Sequence, residues 1–148
     1  MSSISGLREV ITRLRTKAVT WQEVIWPSYA GSYGCQCWGR TADGFKVHAK
    51  AWREKTYGGG ELEFSVTDGS GGTTVFQFFA RAMAYRTLEG TAQVIRMEYT
   101  LHTLNQQDFQ VALGEIEAYI EQAKKDLDAS NKAVADAANE AAQRRFFD

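Results

Sequence analysis

The stretch NQQDFQVALGEIEAYIEQAKKDLDASNKAVADAANEAAQRRFFD, residues 105–148, decides the fold. Its apolar and small residues recur in alternating steps of four and three, which is the spacing of a heptad seam on one helix. The seam consists of Phe109, Leu113, Ile116, Ile120, Ala123, Leu127, Ser130, Val134, Ala137 and Ala141. Asn105 is a suitable N-cap, and Asp108 places a carboxylate near the positive end of the helix dipole. The pattern predicts a long helix over residues 105–147.

The two halves of this seam differ in side-chain size. Large residues fill the first half as far as Leu127, and they suit packing on a sheet, whereas the second half, from Ser130 to Ala141, is mostly Ala and Ser. Small residues allow a second helix to approach closely, so we expect a homo-oligomer, in the first instance a dimer, held by residues 120–147. The residues expected at that interface are Ile120, Leu127, Val134, Ala137 and Ala141. Two alternatives are a solvated helical tail, and a break near Ser130-Asn131 that folds the helix back.

The end of this helix carries two adjacent aromatic residues, Phe146 and Phe147, beside Arg144 and Arg145. Neighbouring aromatic side chains are costly to leave in water, so at least one of the two is expected to dock.

Composition bounds the class of protein. The chain has 148 residues, 44% of them hydrophobic, and a net charge of −1, which is typical of one soluble globular domain over residues 1–148. No run approaches the roughly 20 apolar residues that span a bilayer, so no membrane association is expected. Two cysteines and no recognisable signal peptide predict free thiols in the cytoplasm.

The charge is unevenly distributed along the chain. Residues 1–60 carry nine Lys and Arg against four Asp and Glu, whereas residues 105–148 carry five against nine. The two parts either neutralise one another or offer a positive surface to an anionic partner.

Between the two ends lies a meander of strands. Helical spacing predicts an amphipathic helix over residues 3–18, and β-branched and aromatic residues predict a strand over 19–26. Strands are also predicted over 61–67 and 91–104, the latter with Ile95, Met97, Tyr99 and Leu101 on one face. Residues 73–87 are ambiguous, but a turn at Leu88-Glu89-Gly90 would pair them with the next strand, so we predict a strand there. The fold class is α+β: a helix, an antiparallel sheet of five or six strands over 19–104, and the long helix, with both helices on one sheet face.

Residues 33–53 form the clearest hairpin. Gly44 allows the positive φ that closes a short loop over Ala42–Gly44. This loop pairs Arg40 with Lys46, Trp38 with His48 and Gln36 with Lys50, and it directs Cys35, Cys37, Phe45, Val47, Ala49 and Ala51 to one face.

The cysteines and histidines are the residues with the chemistry for a metal site or a nucleophile. Cys35 and Cys37 with His48 and His102 are the metal candidates, but the hairpin register places His48 on the opposite face from both cysteines, which therefore are expected to be buried and inert. The glycine clusters lack the Lys-Ser/Thr of a phosphate loop. No metal, cofactor or catalytic residue is predicted, and the protein is expected not to be an enzyme.

The most specific functional signal is the other face of the hairpin, where cations alternate with aromatic rings. The candidate ligand-binding residues are Trp38, Arg40, Lys46, His48, Lys50 and Trp52. Cations bind phosphate and aromatic rings stack on bases, so we predict a non-enzymatic oligomeric protein that captures a nucleotide-like ligand or single-stranded nucleic acid. The alternative is a face covered by another element or subunit, with the lysine stems at its rim.

No family motif is present. The order helix, meander, helix is similar in layout to small inhibitors carried by phages and to secretion-type chaperones. That likeness implies the alternative function, a protein-interaction module that docks a partner protein.

Overall fold

The structure, a computed structural model, describes residues 3–26, 33–53, 59–86, 93–100 and 104–148. Its elements are α1 (Ser3–Arg15), β1 (Val19–Ile25), β2 (Tyr33–Thr41), β3 (Phe45–Arg53), β4 (Gly60–Asp68), β5 (Thr74–Arg86), β6 (Gln93–Thr100) and α2 (Gln106–Phe147). The six strands form one antiparallel sheet in sequence order. The predicted α+β class, with a helix before the sheet and a long helix after it, is confirmed.

The β2–β3 hairpin has the predicted register. Arg40 pairs with Lys46, and Trp38 pairs with His48. Gly44 has a φ of 93°, and its backbone N–H donates to the carbonyl oxygen of Thr41 at 3.0 Å. Residues with Cβ avoid this part of φ/ψ space, so Gly44 sets the loop length and, through it, which side chains share a face.

Both helices pack on one face of the sheet, and the core lies between these two layers. The four leucines and isoleucines of α1 are buried, as the helical spacing predicts: Ile4, Leu7, Ile11 and Leu14. Ala49 and Ala51 of β3 are fully buried, and so are Phe109, Leu113 and Ile116 of α2, which packs on β3. The opposite face, which we call the outer face, carries no helix of the described chain.

The ambiguous segment is a strand. β5 spans Thr74–Arg86, and Phe78 pairs with Phe64 of β4. Both rings are fully buried, so burial between neighbouring strands outweighs the helical propensity of ARAMAYR. The turn predicted at residues 88–90 lies outside the described residues, as do the side chains on which the faces of β6 depend.

The helix α2 is continuous through the predicted weak point at Ser130-Asn131. Asn105 caps it as predicted, since its Oδ1 accepts from the backbone N–H of Asp108 at 2.7 Å. Its 42 residues give a length of about 63 Å at about 1.5 Å per residue. Leu127 is the last residue packed against the core, and residues 128–148 are exposed. We call residues 128–148 the arm.

Ion pairs join the basic first part of the chain to the acidic α2. Arg8 Nε lies 2.7 Å from a carboxylate oxygen of Glu115. Arg53 donates from Nε and Nη2 to Glu117, at 3.0 and 2.6 Å, and from Nη1 to the side-chain oxygen of Gln110. Part of the charge asymmetry therefore serves to hold α2 on the sheet.

Candidate functional site

The outer face of the β2–β3 hairpin carries all six side chains that the sequence predicts as ligand-binding. The register places them on alternate positions, opposite the buried Cys35, Cys37, Val47, Ala49 and Ala51. These six are Trp38, Arg40, Lys46, His48, Lys50 and Trp52. They share a face but do not form one cluster, because their contacts divide them into two groups.

Trp38 and His48 form the centre of the first group. Their rings stack with centroids 5.3 Å apart and planes 16° apart. Nε2 of His48 lies 3.2 Å from Oε1 of Gln36, a distance at which the Nε2–H tautomer donates a hydrogen bond. Burial lowers the pKa of His48, the nearby Glu63 raises it and Lys50 lowers it, with a net shift downward. The stack is therefore a neutral aromatic platform at pH 7.

Arg40 and Lys46 lie beside this platform and directly opposite each other across the hairpin. Both side chains are exposed, and neither forms an ion pair with any residue that the structure describes. Like charges that face each other across two strands repel and cost stability. An anion bound between the two cations would remove that cost.

The second group, Lys50 and Trp52, differs in charge. Nζ of Lys50 lies 3.7 Å from an oxygen of Glu61, and Trp52 packs over the backbone of Gly34. Glu63, on the same strand as Glu61, lies 3.9 Å from Nδ1 of His48. The carboxylates of β4 therefore offset positive charge at this end, and the Arg40–Lys46 end is the more favourable place for an anion.

A shallow groove of about 300 Å³ opens beside the Trp38–His48 stack. Besides Trp38, Lys46 and His48, its side-chain lining comes from Gln22, Ser65 and Thr67. We call it the outer-face groove. Gln22 sits at a β-bulge between Trp21 and Glu23, and such bulges re-aim side chains. Its amide and the two hydroxyls add neutral hydrogen-bonding groups to a cationic and aromatic site.

Sequence reasoning missed these three polar residues for identifiable reasons. The alternation of residues 61–67 places Ser65 and Thr67 outward, but it does not indicate which strand they neighbour. His48 pairs with Ser65 and Lys46 with Thr67 only because β3 and β4 pair in one particular register. The bulge that positions Gln22 has no sequence signal that we recognise.

The cysteines are located away from this site. Both are free and buried on the helix-covered face, and burial raises the pKa of each thiol to about 12. His48 is on the opposite face, and His102 lies outside the described residues. Within the described ranges no three His, Cys, Asp or Glu side chains converge as metal ligands.

The residues expected to mediate self-association lie partly in the core and partly on the arm. Ile120 is a correction: it is fully buried against the chain's own sheet and is not available to a partner. Leu127 is half-buried. The other three residues lie on the exposed arm, and they are Val134, which is 69% exposed, Ala137 and Ala141. Phe146 and Phe147 are 82% and 80% exposed, so neither docks on the described part of its own chain.

Comparisons with known proteins assign no family to this chain: no protein-family model, no curated protein and no solved structure matches it. Neither described helix contains an apolar stretch of the length and hydropathy that crossing a membrane requires.

Proposed function

We propose that this protein binds a phosphorylated ligand with a flat ring, of the size of a mononucleotide, in the outer-face groove. The observation that carries the proposal is the pair of opposed cations, Arg40 and Lys46, without an anionic partner among the described residues. In this arrangement the phosphate lies between the two cations, and the ring continues the Trp38–His48 stack. The Ser65 and Thr67 hydroxyls donate to the remaining oxygens.

Size and charge favour a small ligand over a long polyanion. The groove volume of about 300 Å³ is at the lower end of the range for small-molecule sites. A strand of nucleic acid would have to continue past Glu61 and Glu63, whose charges oppose its phosphates. The polyanion predicted as an alternative ligand is therefore the less favourable of the two.

Titration calorimetry with AMP, adenosine and an eight-residue oligothymidylate tests this proposal. We expect AMP to bind, adenosine to bind much more weakly, and the affinity for AMP to fall with added salt. A hydrogen bond to a charged group contributes about 1.5–3 kcal/mol, so Lys46→Ala should weaken AMP binding roughly 10- to 100-fold. Lys132→Ala, which removes an exposed cation from the arm, is the matched control and should have no effect.

Three results would refute the proposal. They are no heat of binding with AMP at millimolar concentration, equal affinity for AMP and adenosine, and equal affinity of Lys46→Ala and the wild type.

A second candidate function is protein docking, which the exposure of the whole arm favours. Salt separates the two functions, because phosphate binding weakens as salt is added whereas docking of apolar side chains does not. Under this second function, removal of residues 128–148 abolishes partner binding and leaves the outer-face groove intact.

A further inference from the structure

The end of the arm is an apolar knob without cover. Phe146 and Phe147 are 82% and 80% exposed, and their rings meet edge to face with centroids 5.0 Å apart. The helix is unbroken between Ala123, its last fully buried residue, and Phe147, a distance of about 36 Å. The knob therefore cannot fold back onto its own domain while α2 remains one helix.

A groove lies where the arm leaves the domain, between α1 and α2. Its volume is about 420 Å³. Leu14, Val19, Trp21, Tyr119 and Ala123 supply the apolar part of its lining, and Arg15, Lys17, Gln122 and Asp126 supply the polar part. We call it the α1–α2 groove. A cavity of about 150 Å³ is enough to hold one benzene ring, so this groove has room for two.

We propose that the occupant of the α1–α2 groove is the Phe146–Phe147 knob of a second copy of this chain. In this dimer the two arms lie antiparallel, and each knob enters the groove of the other copy. The inference goes beyond ligand binding at the outer face and does not depend on it, since none of its residues line the outer-face groove.

The register of the arms supports this occupant. The heptad spacing continues from Ala141 to Arg144, so the part of the seam outside the core runs from Leu127 to Arg144. In an antiparallel pair, the two copies of this stretch overlap fully when Val134 of each copy lies opposite Ala137 of the other. Phe147 then lies level with Lys124 of the other copy, between Ala123 and Asp126, which both line the groove. Any other antiparallel register leaves part of one seam unpaired.

The direction in which Phe147 projects from the arm also supports this occupant of the α1–α2 groove. Phe147 lies three heptads after Asp126 and four heptads after Tyr119, so these residues occupy the same flank of the seam. A two-fold axis between antiparallel helices brings identical flanks together. Phe147 therefore faces the flank that lines the groove, where Tyr119 and Asp126 are located.

Charge favours the same arrangement. Arg15 at the rim of the groove and Asp148 beside the knob are exposed, and neither forms an ion pair within the described residues. The register brings Asp148 level with Ala123 of the other copy, near that rim. Arg145 falls on the other flank, two residues from the level of Lys124 of the other copy, whose charge is already paired with Asp128 at 3.0 Å.

The knobs and the paired arms supply the area that this dimer buries. An aromatic side chain buries about 150–250 Å², so the four phenylalanines of two knobs contribute roughly 500–800 Å² when their exposed parts are covered. The paired arms add to this area, because residues 128–144 of both copies are exposed along the seam, and a specific interface needs roughly 1,000 Å² in total.

Light scattering and cysteine cross-linking of the full chain test the proposal. We expect the wild type to have the mass of a dimer at about 10 µM. Phe146→Ala combined with Phe147→Ala should weaken the dimer at least tenfold, and so should Ala118→Trp, which fills the groove from an exposed helix position. Val111→Ala, at an exposed position near the start of α2, is the control and should leave the mass unchanged.

Cross-linking fixes the register. Phe147→Cys with Asp126→Cys should give a covalent dimer on mild oxidation, because the two positions face each other across the copies. Phe147→Cys alone should give none, since the two knobs lie at opposite ends of the paired arms. A monomeric wild type, full retention of the dimer by the knob and groove variants, or cross-linking of Phe147→Cys alone would each overturn the proposal.

Discussion

Gly39 of β2 pairs with Trp21 of β1, and its replacement by alanine gives a sharp test of the packing there. A Cβ at this position would lie 2.5 and 2.8 Å from two ring carbons of Trp21 and 2.9 Å from a methyl carbon of Val19. Carbon atoms are in favourable contact at about 3.5–4.0 Å, so the indole would have to move by about 1 Å. Trp21 is held against this movement by Tyr119 of α2, an edge-to-face contact with centroids 5.7 Å apart.

The expected cost follows from these distances. Overpacking a core costs about 1–3 kcal/mol, and three contacts below 3 Å favour the upper half of that range. Replacing Gly also lowers the conformational entropy of the unfolded chain, and this effect stabilises the folded state by about 0.4–1 kcal/mol. We expect Gly39→Ala to lower the free energy of unfolding by about 2 kcal/mol, and the melting temperature by about 4–8 °C for a chain of this size.

Urea unfolding followed by tryptophan fluorescence measures this change, with thermal unfolding by circular dichroism as the second method. Gly71→Ala is the control, because a Cβ there would meet its nearest neighbours at an ordinary 3.8 Å. Trp21→Phe should be less costly in the Gly39→Ala background than in the wild type, since the smaller ring relieves the clash. A change of less than about 0.5 kcal/mol for Gly39→Ala, or strict additivity of the two substitutions, would refute the reasoning.

Three further predictions concern titration and ion pairing. Because burial raises the pKa of Cys35 and Cys37 to about 12, the native thiols should react with a disulfide reagent at pH 8 far more slowly than in urea; rapid reaction of both in native buffer would contradict this. Because burial lowers the pKa of His48, its protonation opposes folding, and stability should fall as pH drops from about 6.5 through the folded pKa. His48→Gln should reduce that loss, measured as urea midpoints at pH 7.5 and 5.0, and equal losses would show that another group is responsible. Glu117→Gln should lower stability by about 1 kcal/mol, whereas Glu121→Gln, on the exposed side of α2, should change it by less than half of that.

Local patterns determine much of this fold, which explains why the hairpin register was predictable. The alternation of small or apolar with polar residues on both sides of Gly44 is consistent with one pairing only, because a slip by one residue would exchange the two faces. The same holds for Asn105, whose cap requires only the first turn of α2.

Contacts between distant residues account for what sequence analysis could not predict. The ion pair between Lys50 and Glu61 depends on the register in which β3 pairs with β4, and these two strands are joined by a glycine-rich connection. The role of Arg53 depends on where α2 crosses the sheet, which brings Glu117 to it. Ile120 has the same heptad spacing as Val134, and only the extent of the sheet beneath α2 separates a core residue from an exposed one.

The position of α2 after all six strands has a consequence for biosynthesis. Until residues 106–123 have been made, the apolar face that includes Leu62 and Phe64 lacks α2, which packs on β1–β4 in the folded chain. A nascent chain in this condition resembles an aggregation-prone folding intermediate and is a ligand for chaperones that bind exposed apolar surface. A codon change that slows translation just before residue 105 should therefore lower the soluble yield, although it leaves the protein sequence unaltered.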